Sequence, residues 1–210
     1  KGIYSIEKFL IARRIMYWQV YLHKTVVAAE QMLVKTIKRA KEIIQSRDLP
    51  ASPALKFFLK ENVNIDNYDK QDKEGKTPYE RFAEIDDNDI FCALKQWAYD
   101  SDKVLSELSR RIIQRQLFKI DIRNSPFDPE YIKDMKKKAA RKYKLSKAET
   151  DYFVFSDTIS NKAYSSKKSA SIKILLKNGR IKDIADASDI SNIKTLSETV
   201  EKYFICRPEL

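Results

Sequence analysis

From Ser5 to Arg47 the sequence contains neither glycine nor proline, and apolar residues recur there at helical spacing: Ile6, Phe9, Leu10, Val26, Ala29, Leu33, Ile37, Ala40 and Ile44. Ser5 is placed to cap this segment and Leu49-Pro50 to end it. A helix of roughly 43 residues extends about 65 Å at 1.5 Å per residue. A chain of 210 residues cannot bury such a rod alone, so the segment is expected to bend or to serve a larger assembly. Glycine is scarce throughout, with only Gly2, Gly75 and Gly179, which excludes the Gly-rich phosphate loops of Rossmann and Walker folds.

The pattern stays helical over the first half. Ser52–Glu61 reads as a short helix, residues 64–76 as a polar loop, and Thr77-Pro78 as the start of another helix. Asp87 or Asn88 is expected to cap a segment through Ile90, Leu94 and Trp97. Ser101 or Asp102 is expected to cap the next, which buries Leu105, Leu108, Ile112 and Ile113. Leu117–Ile122 reads as a strand and Glu130–Lys144 as a very basic helix. Beyond Ser146 the period changes: Tyr152–Ile159, Ile172–Leu176 and Arg180–Ile184 read as strands, the last two joined by a type I′ turn at Asn178-Gly179. A helix over Thr195–Lys202 and a final strand over Tyr203–Cys206 complete the expectation. The fold class is mainly α with a small C-terminal α+β lobe, divided into residues 1–124 and 125–210.

The sequence carries 41 Lys and Arg against 30 Asp and Glu, a net charge of +11, and no apolar run approaches the roughly 20 residues that span a bilayer. His23 is the sole histidine, so no multi-histidine metal site can form within the chain. Cys92 and Cys206 sit in no metal or redox spacing, which points to a reducing, cytoplasmic setting. The string opens at Lys1 directly into a helical pattern, and a fragment of a longer protein is expected.

Three sets of residues offer chemistry. Arg13, Tyr17 and Tyr21 recur every four residues with Lys24 three further on, a stripe where a guanidinium could hold phosphate and a tyrosine face a sugar or base. The same spacing also describes aromatic core edged by snorkelling cations. His23 falls about 200° around the helix from Tyr21. Lys136, Lys137, Lys138 and Arg141 head a basic cluster that suits weak electrostatic contact with nucleic acid, though such runs commonly form solvated faces. Asp86, Asp87 and Asp89 match no calcium loop and are expected to cap a helix.

The string IEKFLIARRIMYWQVYLHKTVVAAEQML resembles the helix that follows the metal site in HD-domain phosphohydrolases, in the branch of the SAM- and HD-domain deoxynucleotide triphosphohydrolases. DNDIFCAL, RRIIQRQLFKI and the C-terminal YFICRPEL are similar to later elements of that branch, so the resemblance covers most of the chain. It implies the continuation of an HD-type helical bundle. It further implies that Arg13 contacts a substrate triphosphate and Tyr21 the deoxyribose, with Tyr17 beside them. His23, Lys24 and Arg115 correspond to positions that meet a second nucleotide at a subunit interface. Tyr17 stands where the mammalian enzyme has histidine, and Leu22 where it has a polar residue. The family's His…His-Asp…Asp ligands are absent from this sequence. The resemblance therefore implies a divalent metal held N-terminal to Lys1, catalysis by the intact protein as a homo-oligomer, and an inactive isolated chain.

Overall fold

The structure is a computed structural model and describes residues 2–161, 171–188 and 199–210. It is mainly α-helical with a small β part, in the order α1 (Gly2–Met16), a π-helical turn (Tyr17–Tyr21), α2 (Lys24–Ile43), α3 (Pro53–Lys60), α4 (Pro78–Ala83), α5 (Asp87–Trp97), α6 (Lys103–Ile113), β1 (Lys119–Arg123), α7 (Pro129–Tyr143), α8 (Lys147–Thr150), β2 (Phe155–Asn161), β3 (Lys173–Leu175), β4 (Ile181–Asp183), α9 (Ile184–Ala187) and β5 (Val200–Arg207). The chain forms two compact units, each drawn from separate stretches. One comprises Lys1–Val27, Ile120–Met135 and Phe155–Cys206; the other comprises Ala28–Lys119, Lys136–Val154 and Arg207–Leu210. No helix among the described residues is long and apolar enough to cross a membrane.

The long first helix is interrupted. At Tyr17 the ladder lengthens, with the Leu22 N–H reaching the Tyr17 carbonyl at 2.7 Å, and the helix stops before α2 restarts at Lys24. Ser5 lies inside α1, which is already helical at Gly2, so it is no cap. Phe9, assigned by spacing to the apolar face, is 60% exposed, whereas Leu10 is buried. Leu10 packs with Ile184 of α9, flanked by Ile3, Ile6, Ile11, Ile172 and Ile174. A three-stranded sheet of order β1-β5-β2 belongs mainly to the same unit. β2 and β5 run antiparallel from Phe155 opposite Cys206 to Asn161 opposite Val200.

The second unit has the larger core. Ala40, Ile43 and Ile44 from α2 meet Leu55 and Leu59 of α3, Leu94 and Trp97 of α5, and Leu105 of α6. Fully burying each such aliphatic side chain contributes about 1.5–3 kcal/mol. Trp97 is completely buried and its indole N–H donates to the Pro50 carbonyl at 2.9 Å, so its one polar atom is satisfied.

Side chains cap these helices in ways the sequence signals. Ser52 accepts from the Leu55 N–H, and Thr77 forms a capping box with Glu80 ahead of Pro78. The cap of α5 is Asp86, not Asp87 or Asn88: its carboxylate takes the Asn88 and Asp89 N–H groups while Asp89 returns a bond to the Asp86 N–H. Asp102 caps α6. The β3–β4 connection corrects the type I′ expectation. Gly179 has φ +77° and Asn178 does not share the positive φ that type I′ demands, so the loop has a single left-handed residue. Of the helix expected over Thr195–Lys202, residues 195–198 lie outside the described residues and Val200–Lys202 belong to β5, where alternation with β2 decides their conformation.

Candidate binding surface on the first helix

Arg13 of α1 comes together with Tyr17 and Tyr21, the first and last residues of the π turn. The tyrosine rings lie 5.1 Å apart at 55°, and the Arg13 guanidinium carbon sits 5.6 Å from the Tyr17 ring centroid. Both are ordinary distances for aromatic and cation–π contacts. With Phe9, Ala12 and Met16 they line an open groove of about 600 Å³. Arg13 is exposed and has no ion-pair partner among the described residues, and Tyr21 is 51% exposed. The groove thus presents one positive charge beside two aromatic faces. Its lining holds no carboxylate, thiol or imidazole. Phe9, Ala12 and Met16 had no functional signal of their own; they are the residues four before, one before and three after Arg13.

Lys24 does not continue the stripe. Leu22 and His23 are not helical, so the α-helical count from Tyr21 to Lys24 fails, and Lys24 is the exposed first residue of α2. His23 caps that helix. Its Nδ1 accepts from the Thr25 N–H at 3.3 Å and its carbonyl accepts from the Val27 N–H at 3.0 Å. The His23 ring belongs to an exposed residue. The interruption that makes His23 a cap carries no glycine or proline to announce it.

Arg115 also terminates a helix. It follows α6 with φ +57°, and the Gln116 N–H returns to the Arg111 carbonyl at 2.8 Å, the wide bond of a left-handed helix end. Its side chain is exposed. On α7, Lys136 pairs with Asp151 at 2.6 Å, while Lys137, Lys138 and Arg141 are exposed. Among the described residues no group of three or more His, Cys, Asp or Glu side chains could hold a metal ion.

An organised charge cluster also joins α2 to the start of α6. Arg39 donates through Nε (3.1 Å) and Nη2 (2.6 Å) to the two Asp102 oxygens and through Nη1 (2.9 Å) to Glu42, which also accepts from the Tyr152 hydroxyl. The bond from Asp102, opposed by burial, holds the Arg39 guanidinium above its ordinary value. Burial, and then the bond to Glu42, pushes the Tyr152 hydroxyl up to about 12. Every member is paired, which marks the cluster as a clamp between elements.

No family model matches the chain. A phosphohydrolase from Bacteroides thetaiotaomicron VPI-5482, known from its crystal structure, superposes with a TM-score of 0.85 and is 45% identical. The match takes in all of this chain and 51% of the solved one. The chain is similar to half of a bacterial phosphohydrolase. The uncharacterized protein YwfO of Bacillus subtilis (strain 168) is 26% identical over 195 residues, covering 90% of this chain and 41% of that protein. The chain therefore spans about half the length, or less, of both proteins.

Proposed function

We propose that this chain is the C-terminal portion of an HD-family, metal-dependent phosphohydrolase and furnishes one wall of its site for a (deoxy)nucleoside triphosphate. The carrying observation is the 45% identity to a phosphohydrolase over the whole chain, joined to a groove that sets a cation beside two tyrosines. On this reading Arg13 binds phosphate oxygens through its guanidinium fork, Tyr21 lies against the sugar, and Tyr17 holds Arg13 in place by stacking. No group of side chains among the described residues fits a metal, and on this reading the ligands are supplied from outside the chain. The intact protein is a cytoplasmic homo-oligomer in which His23, Lys24 and Arg115 face a second nucleotide or a subunit interface.

The test is release of phosphate or triphosphate by the intact protein from a panel of deoxy- and ribonucleotides with Mg²⁺ or Mn²⁺. Removing a charged hydrogen-bonding partner costs about 1.5–3 kcal/mol, so Arg13→Ala is expected to lower turnover per unit substrate by roughly 10- to 150-fold. Turnover unchanged by Arg13→Ala, or full activity in this chain alone, refutes the proposal.

A further inference from the structure

The stretch between α3 and α4 runs for residues 62–77 without regular structure, a length at which irregular loops are usually functional or disordered. Here the loop binds itself. Asn67 accepts from the Asn64 N–H at 2.7 Å and donates to the Asn62 carbonyl at 3.0 Å, while Asn64 accepts from the Asp66 N–H at 2.9 Å. Further on, Asp72 accepts from the N–H groups of Glu74 and Lys76 at 2.8 and 3.1 Å. Buried Arg81 of α4 fastens the end of the loop from below, donating to Asp72 at 2.9 Å and Glu74 at 2.5 Å. Exposed backbone ordered by its own polar side chains is a preformed wall, which lowers the entropy lost on binding.

Between this wall and α3 lies an open groove of about 710 Å³, within the range of ligand clefts. Phe57 and Val63 contribute half-buried apolar surface to it. Lysines stand on both walls: Lys56 and Lys60 on α3, sharing the single carboxylate of Asp48 at 2.8 and 3.6 Å, and Lys70 and Lys73 on the loop. Lys70 and Lys73 are exposed and form no ion pair among the described residues. Of the three acidic side chains in the lining, Asp72 and Glu74 are occupied by Arg81, which leaves Glu61 against Lys56, Lys60, Lys70 and Lys73. Arg81 is the one arginine in the lining, so no free guanidinium fork remains. Lysines are point charges on flexible stems, suited to carboxylates scattered along a chain.

We propose that this groove docks an extended acidic segment of a partner protein, its carboxylates meeting Lys70 and Lys73 and its apolar side chains covering Phe57 and Val63. Charge complementarity and an apolar floor together select such a segment, in which acidic and apolar residues alternate. The groove shares no residue with the Arg13 surface and stands whether or not the chain belongs to a phosphohydrolase.

The test is fluorescence anisotropy on the full chain with a labelled peptide of alternating Glu and Leu, a matched Lys and Leu peptide, and labelled oligothymidylate. The expected result is saturable binding of the acidic peptide alone, weakened at least tenfold in Lys70→Glu/Lys73→Glu with an unchanged melting temperature. No saturable binding, equal binding of the lysine peptide, or affinity unaffected by the double variant overturns the proposal. Tighter binding of the oligonucleotide, lost in the same variant, assigns the groove to nucleic acid and equally overturns it.

Discussion

Asp102 holds two structural jobs in one carboxylate, and Asp102→Ala removes both. As the cap of α6 it accepts from the Leu105 N–H at 2.8 Å, a role worth about 1 kcal/mol. As the partner of Arg39 it receives a two-pronged, charge-assisted contact at 3.1 and 2.6 Å, with the two side chains only 23% and 17% exposed. Hydrogen bonds to charged groups in such settings contribute about 1.5–3 kcal/mol. The expected loss is about 2.5–4 kcal/mol, or roughly 5–15 °C in melting temperature for a chain of this size. Urea denaturation followed by circular dichroism at pH 7 measures it. Asp102→Ser keeps a capping oxygen and is expected to recover about 1 kcal/mol. pH gives a separate check. Burial pushes the Asp102 carboxyl up, but the Arg39 bond, the Leu105 N–H and the charges of Arg39 and Arg47 outweigh it and hold the group below its ordinary range. A lowered native value means the contribution is complete above about pH 4 and is lost as the native carboxyl takes up its proton below that. The gap between wild type and Asp102→Asn is thus expected to be constant from pH 7 to about 5 and to close below about 4. An Asp102→Ala loss under about 0.5 kcal/mol, the size of an ordinary surface substitution, or a gap that widens toward low pH, refutes the reasoning.

Arg115→Gly relieves a left-handed backbone at a helix end and is expected to stabilise the chain by about 1 kcal/mol in thermal melts. A loss instead shows that the arginine side chain holds the α6 end. Trp97→Phe removes the indole bond to the Pro50 carbonyl and part of a fully buried ring, and is expected to cost about 1–3 kcal/mol in urea denaturation. Unchanged stability shows that this bond contributes nothing.

Local signals were legible where a short string contains the whole device. Thr77-Pro78 with Glu80, Ser52 ahead of Pro53, and Asp102 ahead of an apolar helix could be read without any tertiary knowledge. In DDND three acids compete for one cap. The winner is Asp86, because it alone has an acid three residues on, at Asp89, that bonds back to its N–H in the folded helix. The π turn left no trace, since YWQVY carries no breaker and the apolar period looks continuous across it. The Arg13, Tyr17 and Tyr21 stripe was visible as a four-residue spacing, yet the groove depends on Phe9 remaining exposed, against the apolar count. The loop of residues 62–77 read only as polar. Its groove follows from which asparagine bonds to which backbone group, a pairing that composition does not encode.

Deleting one codon between Tyr17 and Tyr21 keeps the reading frame and barely alters composition. It also removes the residue that lets the ladder reach from Tyr17 to Leu22. Ordinary α-helical pairing would then take over, and seven residues at about 100° each would bring Arg13 and Tyr21 back to within about 20° of one another. Arg13 and Tyr21 would still share a side of the helix, while the wide bond that closes the segment ahead of His23 would be lost. Substitutions in this segment change one contact at a time, but its length is inherited all or nothing.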